Sequence, residues 1–547
     1  MMSSTPKKLR FMDFPNNILW KLAMLFCMVA IATGCSNAKK ETGEVISEPI
    51  ENDIQMGGTW PNAVTYEIFV QSFYDTNNDG IGDFNGVTAK LDYLQDLGIE
   101  AIWLMPIHPS PSYHKYDVTD YREVHPDYGT MEDFKNLVNE AHKRDIRIVI
   151  DFVINHTGSD HPWFQASVKD KTGDYRDYYV WASMDEIQDK IMKEHTSADS
   201  DNRTNWHQAE GNEERYYGFF WGGMPDLNYD NPKVKEEIFD IGKFWLTEIG
   251  VDGFRLDAAR HIFPDDRMKE NHTFWEEFRA EMEKIKPNVY LIGEVWSSAE
   301  VVAPYLKGLP ALFNFDIGYA ISKSVLTEHD SSLVKNHHDI RKFYNTVTNE
   351  FIDATFNTNH DQNRIMSVVD GDLQKARMAA SLLLTLPGAP YIYYGEEIGM
   401  LGAKPDEEIR EPFVWDYEGK DPGQTKWREA IHSTDENVEP LSQQINDSKS
   451  LYNHYKELIH SRKSSPVLTF GQIEISNIKE DGIVNFYRVH EGDSLLVIHN
   501  VTGSEKALNL GESGQFNEIL FQNHQGISLE EARLKIPGYS TIILTKG

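Results

Sequence analysis

Short β-branched or aromatic runs alternate with longer amphipathic ones from Trp60 onward. Eight runs have strand character: residues 65–70, 101–105, 147–153, 253–257, 290–294, 311–315, 354–357 and 391–395. Between most of them lie helical patterns such as VTAKLDYLQDLG, MEDFKNLVNEAHKRD and PKVKEEIFDIGKFWLTEIG. A strand period that keeps giving way to a helix period calls for parallel strands joined by crossover helices. Eight such units predict a closed (β/α)8 TIM barrel, an α/β fold, over residues 58–153 and 229–464.

The barrel does not use the whole chain. Almost eighty residues separate the third strand from the helix near Pro232, too many for a bare loop. Residues 154–228 are therefore expected to form an inserted domain. Its stretch from 161 to 221 carries twelve aromatics, read partly as a small core and partly as a wall for stacking sugar rings. Near residue 465 the texture changes. A last helix should stop at Pro466, and alternating runs such as GIVNFYRVH and DSLLVIHN predict a C-terminal antiparallel β-sandwich over 465–547.

The N-terminus reads as a targeting segment. Lys7, Lys8, Arg10 and Lys21 precede the eleven-residue apolar run 22–32, too short to span a bilayer stably. Ala32-Thr33-Gly34 before Cys35 resembles a bacterial lipobox, with Ala32 at the first position, where Leu is usual. Residues 1–34 are expected to be a lipoprotein signal peptide, Cys35 the lipidated residue and 35–57 a flexible tether. The expectation is an exported bacterial lipoprotein, anchored to a membrane. Ser36 rather than Asp after the cysteine favours the outer membrane or cell surface. Cys27 and Cys35 are the only cysteines, so the body can form no disulfide or thiolate metal site. A formal charge of −33 sets the chain against nucleic acid and anionic lipid and leaves neutral or cationic partners, which neutral sugars fit.

Barrel active sites lie at the C-terminal ends of the strands. The third strand ends Asp151-Phe-Val-Ile-Asn155-His156, and the fourth holds Arg255-Leu-Asp257-Ala-Ala-Arg260-His261. Glu294 ends the fifth, and Asn359-His360-Asp361 follows the seventh. Three carboxylates, histidines and an arginine would share one rim, a set suited to acid/base chemistry on a neutral substrate. A second pattern lies after the first strand. Asp75, Asn77, Asp79 and Asp83 place side-chain oxygens at spacings 1, 3, 5 and 9, with the Ile81 carbonyl at 7 and Gly80 at the turn. This is the ligand order of a Ca²⁺ loop, although position 12 is Gly86, so it is no EF-hand.

The four strand-end segments, in this order and spacing, resemble the conserved regions of the α-amylase family of glycoside hydrolases. The resemblance covers about residues 60–547, and a loop calcium site belongs to this branch of the family. It implies that Asp257 is the nucleophile, Glu294 the general acid/base, and Asp361 a third carboxylate that binds sugar hydroxyls and stabilises the transition state. Arg255 would orient Asp257, while His156 and His360 hold the sugar. Tyr113-His114-Lys115-Tyr116-Asp117 resembles a further element in which His114 binds the sugar and Tyr116 stacks on it; Lys115 replaces a frequent Gly. Glu294 should be kept protonated by neighbouring carboxylates. Met224-Pro-Asp-Leu-Asn228 resembles the group between oligo-1,6-glucosidases and neopullulanases, and Arg260-His261 resembles the acceptor-side Lys-His pair of α-amylases. The implied activity is retaining endo-hydrolysis of α-1,4 bonds in starch or maltodextrin by a monomer. Trimming of maltooligosaccharides by an α-glucosidase, oligo-1,6-glucosidase or neopullulanase-like enzyme is the alternative, with transglycosylation beyond it. A glycan-binding lipoprotein without catalysis is more remote, because all three carboxylates are present.

Overall fold

A computed structural model describes residues 59–191, 204–417 and 420–547. The expected signal peptide, tether and Cys35 lie outside the described residues. All eight strand runs are strands: β1 Thr65–Ile68, β2 Ala101–Leu104, β3 Arg147–Phe152, β4 Gly253–Leu256, β5 Tyr290–Gly293, β6 Ala311–Phe313, β7 Ile352–Phe356 and β8 Ala389–Tyr393. They close a parallel barrel in which β1 pairs with both β2 and β8. Several strands stop short of the predicted run. Asp257 and Glu294 fall one residue beyond the last ladder position of β4 and β5, which frees their side chains at the rim.

The helices follow from local rules. Thr130 and Asp133 form a reciprocal capping box that starts the helix Met131–His142, whose buried face is Phe134, Leu137, Val138 and Ala141. The pattern VTAKLDYLQDLG does not make one helix. It breaks at Lys90 into Phe84–Ala89, capped by Asp83, and Leu91–Leu97.

The insert after β3 carries the helix Pro162–Lys169 and a small sheet of Trp181–Ala182, Arg215–Tyr217 and Trp206–Gln208. Half of its twelve aromatics are buried: Phe164, Tyr178, Tyr179, Trp206, Tyr216 and Phe219. Phe220 and the half-exposed Trp221 instead line the main cavity.

The chain ends in two facing sheets. A five-stranded antiparallel sheet contains Ile483–His490, Asp493–Asn500 and Ser540–Lys546, and a three-stranded one contains Lys506–Asn509 and Arg533–Ile536. Leu496, Ile498, Ile542 and Leu544 of the first pack with Leu508, Leu534 and Ile536 of the second. Pro466 does not merely stop the helix Leu451–Lys463. It occupies the first turn of the next helix, Pro466–Phe470, where its missing N–H costs nothing. Three strands of this C-terminal domain escaped the sequence reading. One of them, Phe516–Gln522, carries register shifts and a run of four exposed positions, so it shows no clean alternation.

Candidate active site

β3 and β4 pair Asp151 directly with Arg255. The Arg255 side chain is buried and serves three carboxylates. Its Nη1 donates to both oxygens of Asp151 at 3.1 Å and to Asp257 Oδ1 at 2.5 Å. Its Nη2 lies 2.9 Å from Glu294 Oε2. A fixed planar cation here sets the positions of Asp257 and Glu294 relative to each other. The Ala258 amide also donates to Glu294, at 3.3 Å.

Burial is the main reason the Glu294 carboxyl is pushed up to about 7. Arg255 opposes the shift, while Asp257 and Asp361 add to it. The expected rise is present, but its first cause is desolvation rather than neighbouring charge. Asp361 goes the other way. Burial alone would raise it, and the His360 imidazolium and Arg410 hold it well below the usual carboxylate range. His360 Nε2 stands 3.1 Å from Asp361, and Arg410 donates to it at 2.9 Å.

The remaining sugar-facing candidates come to the same place. His114, Tyr116, His156, Arg260 and His261 line one cavity of ≈ 610 Å³ together with Asp257, Glu294 and Asp361. His114 Nδ1 accepts the Tyr116 amide at 3.1 Å, and burial pushes its imidazole down to about 4. The neutral ring therefore carries its hydrogen on Nε2. His156 Nε2 donates to the Tyr116 carbonyl at 3.2 Å. Lys115 takes the left-handed φ of 63° that a glycine would adopt there. Arg260 is held by a two-point pair with Asp265 at 3.1 and 2.7 Å, and His261 stacks on Phe219 at 4.0 Å. Arg255 and His360 are buried behind this lining.

Sequence reasoning assigned no role to Asp151, although a lone carboxylate inside the apolar strand RIVIDF was a usable signal. Lys404, Asp406 and Arg410 also line the cavity. They follow β8 in a segment with no motif, and only the closed barrel brings them to Asp361. Trp296, stacked on Phe315 at 4.6 Å, is a further lining residue. Glu396 and Glu397 do not reach the cavity. Glu396 accepts from Asn357 and Tyr455, and Glu397 from Tyr66 and Tyr93.

The loop of residues 75–83 folds back on its own amides. Asp75 accepts from Asn77, Asn78 and Gly80, and Asp83 from Thr76 and Gly86. Gly80 takes a φ of 94° at the turn. Asp75 and Asp83 are buried, and neither pairs with a Lys or Arg among the described residues. Among those residues no three carboxylate, imidazole or thiolate groups already converge on one point. The exposed Asn77 and Asp79 bond to each other at 3.0 Å. In kind and charge the donor set fits a hard cation: oxygens only, with two buried carboxylates lacking a counter-charge.

Residues 67–471 match the family model described as alpha amylase, catalytic domain, and residues 483–543 match the alpha-amylase SusG C-terminal domain. Alpha-amylase 3 of Dictyoglomus thermophilum is 43% identical, over 89% of this chain and 93% of its own. A 4-alpha-glucanotransferase of Thermotoga neapolitana is 36% identical, over 81% and 96%. The crystal structure of the alpha-amylase from H. orenii superposes with a TM-score of 0.78 at 43% identity, covering 89% of this chain and 99% of that one. With strand-end carboxylates gathered around one arginine and the catalytic-domain model spanning most of the length, this chain belongs to the α-amylase family of glycoside hydrolases.

Proposed function

We propose that the chain is an endo-acting α-amylase that hydrolyses α-1,4-glucosidic bonds of starch and maltooligosaccharides with retention. The observation that carries this reading is one cavity in which the three carboxylates share the lining with two groups of residues. Arg260 and His261, with Phe220 edge-on to His261, follow Ala258, whose amide donates to Glu294; Arg410, Asp406 and Lys404 are joined to Asp361 by ion pairs. Sugar units on either side of the scissile bond would each find support, as an internal bond of a polymer requires.

The chemistry uses the two carboxylates as a unit. Asp257, oriented by Arg255, attacks the anomeric carbon while Glu294 gives its proton to the departing glycosidic oxygen. Water then replaces the Asp257 ester and returns its proton to Glu294. Asp361, held anionic by His360 and Arg410, faces the positive charge that develops on the sugar.

A trimming enzyme is the second reading, favoured by one observation. Lys404, Asp406 and Arg410 form a chain of ion pairs at the Asp361 end of the cavity, which could limit it to short chain ends. Digestion of soluble starch separates the two. The endo reading expects viscosity to fall faster than reducing ends appear, with mixed maltooligosaccharides early. Glucose as the sole early product would overturn it.

Two further proposals accompany the activity. Ca²⁺ would be held by Asp75, Asn77, Asp79, the Ile81 carbonyl and Asp83, where it would neutralise crowded carboxylates and brace the loop. Cys35 would carry lipid and hold the enzyme at a membrane surface; among the described residues no helix is long and apolar enough to cross one. Cys35→Ala should release the enzyme from membranes, and continued full partitioning into them would refute the anchor.

A further inference from the structure

One buried carboxylate of the barrel interior has no place in the reaction as described. Glu67 lies on β1, between Trp103 of β2 and Tyr393 of β8, and is buried. Its Oε1 meets His360 Nδ1 at 2.5 Å. On the other side of the ring, Nε2 is 2.7 Å from the Tyr116 hydroxyl and 3.1 Å from Asp361 Oδ2. The Tyr116 hydroxyl in turn donates to Asp151 Oδ2 at 3.1 Å, so its oxygen is left to accept from Nε2. Both ring nitrogens then donate, and the ring carries a proton on each.

The ring has no freedom to do otherwise. Tyr116 stacks on it at 5.7 Å and 13°, and Trp103 meets it edge-on at 5.4 Å. The Arg410 Nε donates to the His360 carbonyl at 3.0 Å. A line of contacts thus runs from β1 through Glu67, His360, Tyr116 and Asp151 to Arg255, and from Arg255 to Asp257 and Glu294.

We propose that Glu67 is a positioning residue for hydrolysis: its carboxylate takes the Nδ1–H of His360 and so keeps a charged Nε2–H aimed at Asp361 and the Tyr116 oxygen. A glutamine could accept the same hydrogen bond. What a carboxylate adds is charge, so its removal should show as a change in proton affinity rather than as a loss of shape.

The charged and titratable groups that face His360 are Glu67 from β1, Asp151 from β3, Glu294 after β5, Asp361, Arg410 and the Tyr116 phenol. Burial alone would lower the imidazole, and Asp361 and Glu67 outweigh it, pushing it up to about 10. With Glu67 neutral, one of those two carboxylates is gone. His360 should then lose its proton within the range where the enzyme is assayed.

The test uses the full-length enzyme and a chloronitrophenyl α-maltoside. Its leaving group needs no proton, so ionisation of Glu294 does not mask that of His360. For Glu67→Gln, the alkaline limb of kcat/KM should begin about 1–3 pH units below that of the wild type, the shift expected on removing one nearby opposite charge. Thermal unfolding at each pH confirms that the variant stays folded. A uniform drop in rate with a superimposable limb would reduce Glu67 to a structural role and overturn the proposal. Glu67→Asp keeps the charge and shortens the reach, so its limb should fall between the two. If Glu67→Gln does not fold, the wild type and Glu67→Asp carry the comparison, and coincident limbs overturn it.

The proposal rests on the hydrolase reading only for its assay. If the wild type does not turn the maltoside over, that reading fails by itself. The ¹⁵N shift of the His360 imidazole then reads the same titration, and a midpoint unchanged by Glu67→Gln overturns the proposal.

Discussion

Arg255 binds Asp151, Asp257 and Glu294 with one guanidinium, so a defect in any of these residues disturbs the others. Asp257→Asn and Glu294→Gln should each cost about 10³-fold or more in kcat with near-normal melting temperature, because each removes half of a two-carboxylate mechanism. Retention of about a tenth of wild-type turnover would refute the roles. The Glu294 carboxyl, raised to about 7, must be protonated to act. The rate on starch should therefore fall as pH rises through about 7, and a rate still climbing well above that pH would count against Glu294 as the acid. The His360 pair also links to stability. Its pKa is raised on folding, so its contribution is fully present below the ordinary imidazole value near 6.5 and is lost as pH rises toward about 10. At this scale the candidate residues that the structure gathers at the rim were legible, because they belong to compact motifs at or just after strand ends. Glu67 was not, because its partner His360 is far away in the chain, and Asp151 was passed over although it stands as a lone carboxylate in an apolar strand.

Elements were legible wherever one periodicity ruled. The eight strands came through because buried parallel strands read as apolar β-branched runs between turn signals. Their ends did not: residues such as Asp257 and Glu294 continue the pattern but have already left the ladder. The helix pattern across Lys90 is regular in sequence and broken in space, since Asp83 caps one short helix and a second starts afresh. The loop of residues 75–83 belongs to this scale too. If a cation neutralises Asp75 and Asp83, excess chelator should lower the melting temperature, and Asp79→Ala should remove most of that sensitivity. Binding to the folded state alone stabilises by about 2.7 kcal/mol at a hundred times Kd. An unchanged melting curve, with no metal found by elemental analysis, would dismiss the ion.

Across the whole molecule, the C-terminal sheets are tied to the barrel by a buried arginine that meets carbonyls rather than carboxylates. Arg488 donates to Thr385 of the barrel and to Leu468 and Gly471, while Arg462, on the last barrel helix, donates within the barrel to Leu384, Leu386 and Gly388. Arg488→Met should cost about 3 kcal/mol or more, because it strands several buried acceptors at once. A melting temperature within a degree or two of the wild type would show that the clamp carries little. The sequence by itself determined the barrel, the insert, the closing β-domain and the three carboxylates, because periodicity and strand-end motifs are local properties. Tertiary structure alone decided that Arg410, Lys404 and Asp406 reach Asp361, that Glu67 stands behind His360, and that half of the insert aromatics are buried while Phe220 and Trp221 face the cavity. Those outcomes depend on contacts between residues up to hundreds of positions apart, which no window of the chain contains. They depend equally on burial, which raises the Glu294 carboxyl, and on Asp361 and Glu67, which keep His360 charged against burial, only once the barrel has closed around them.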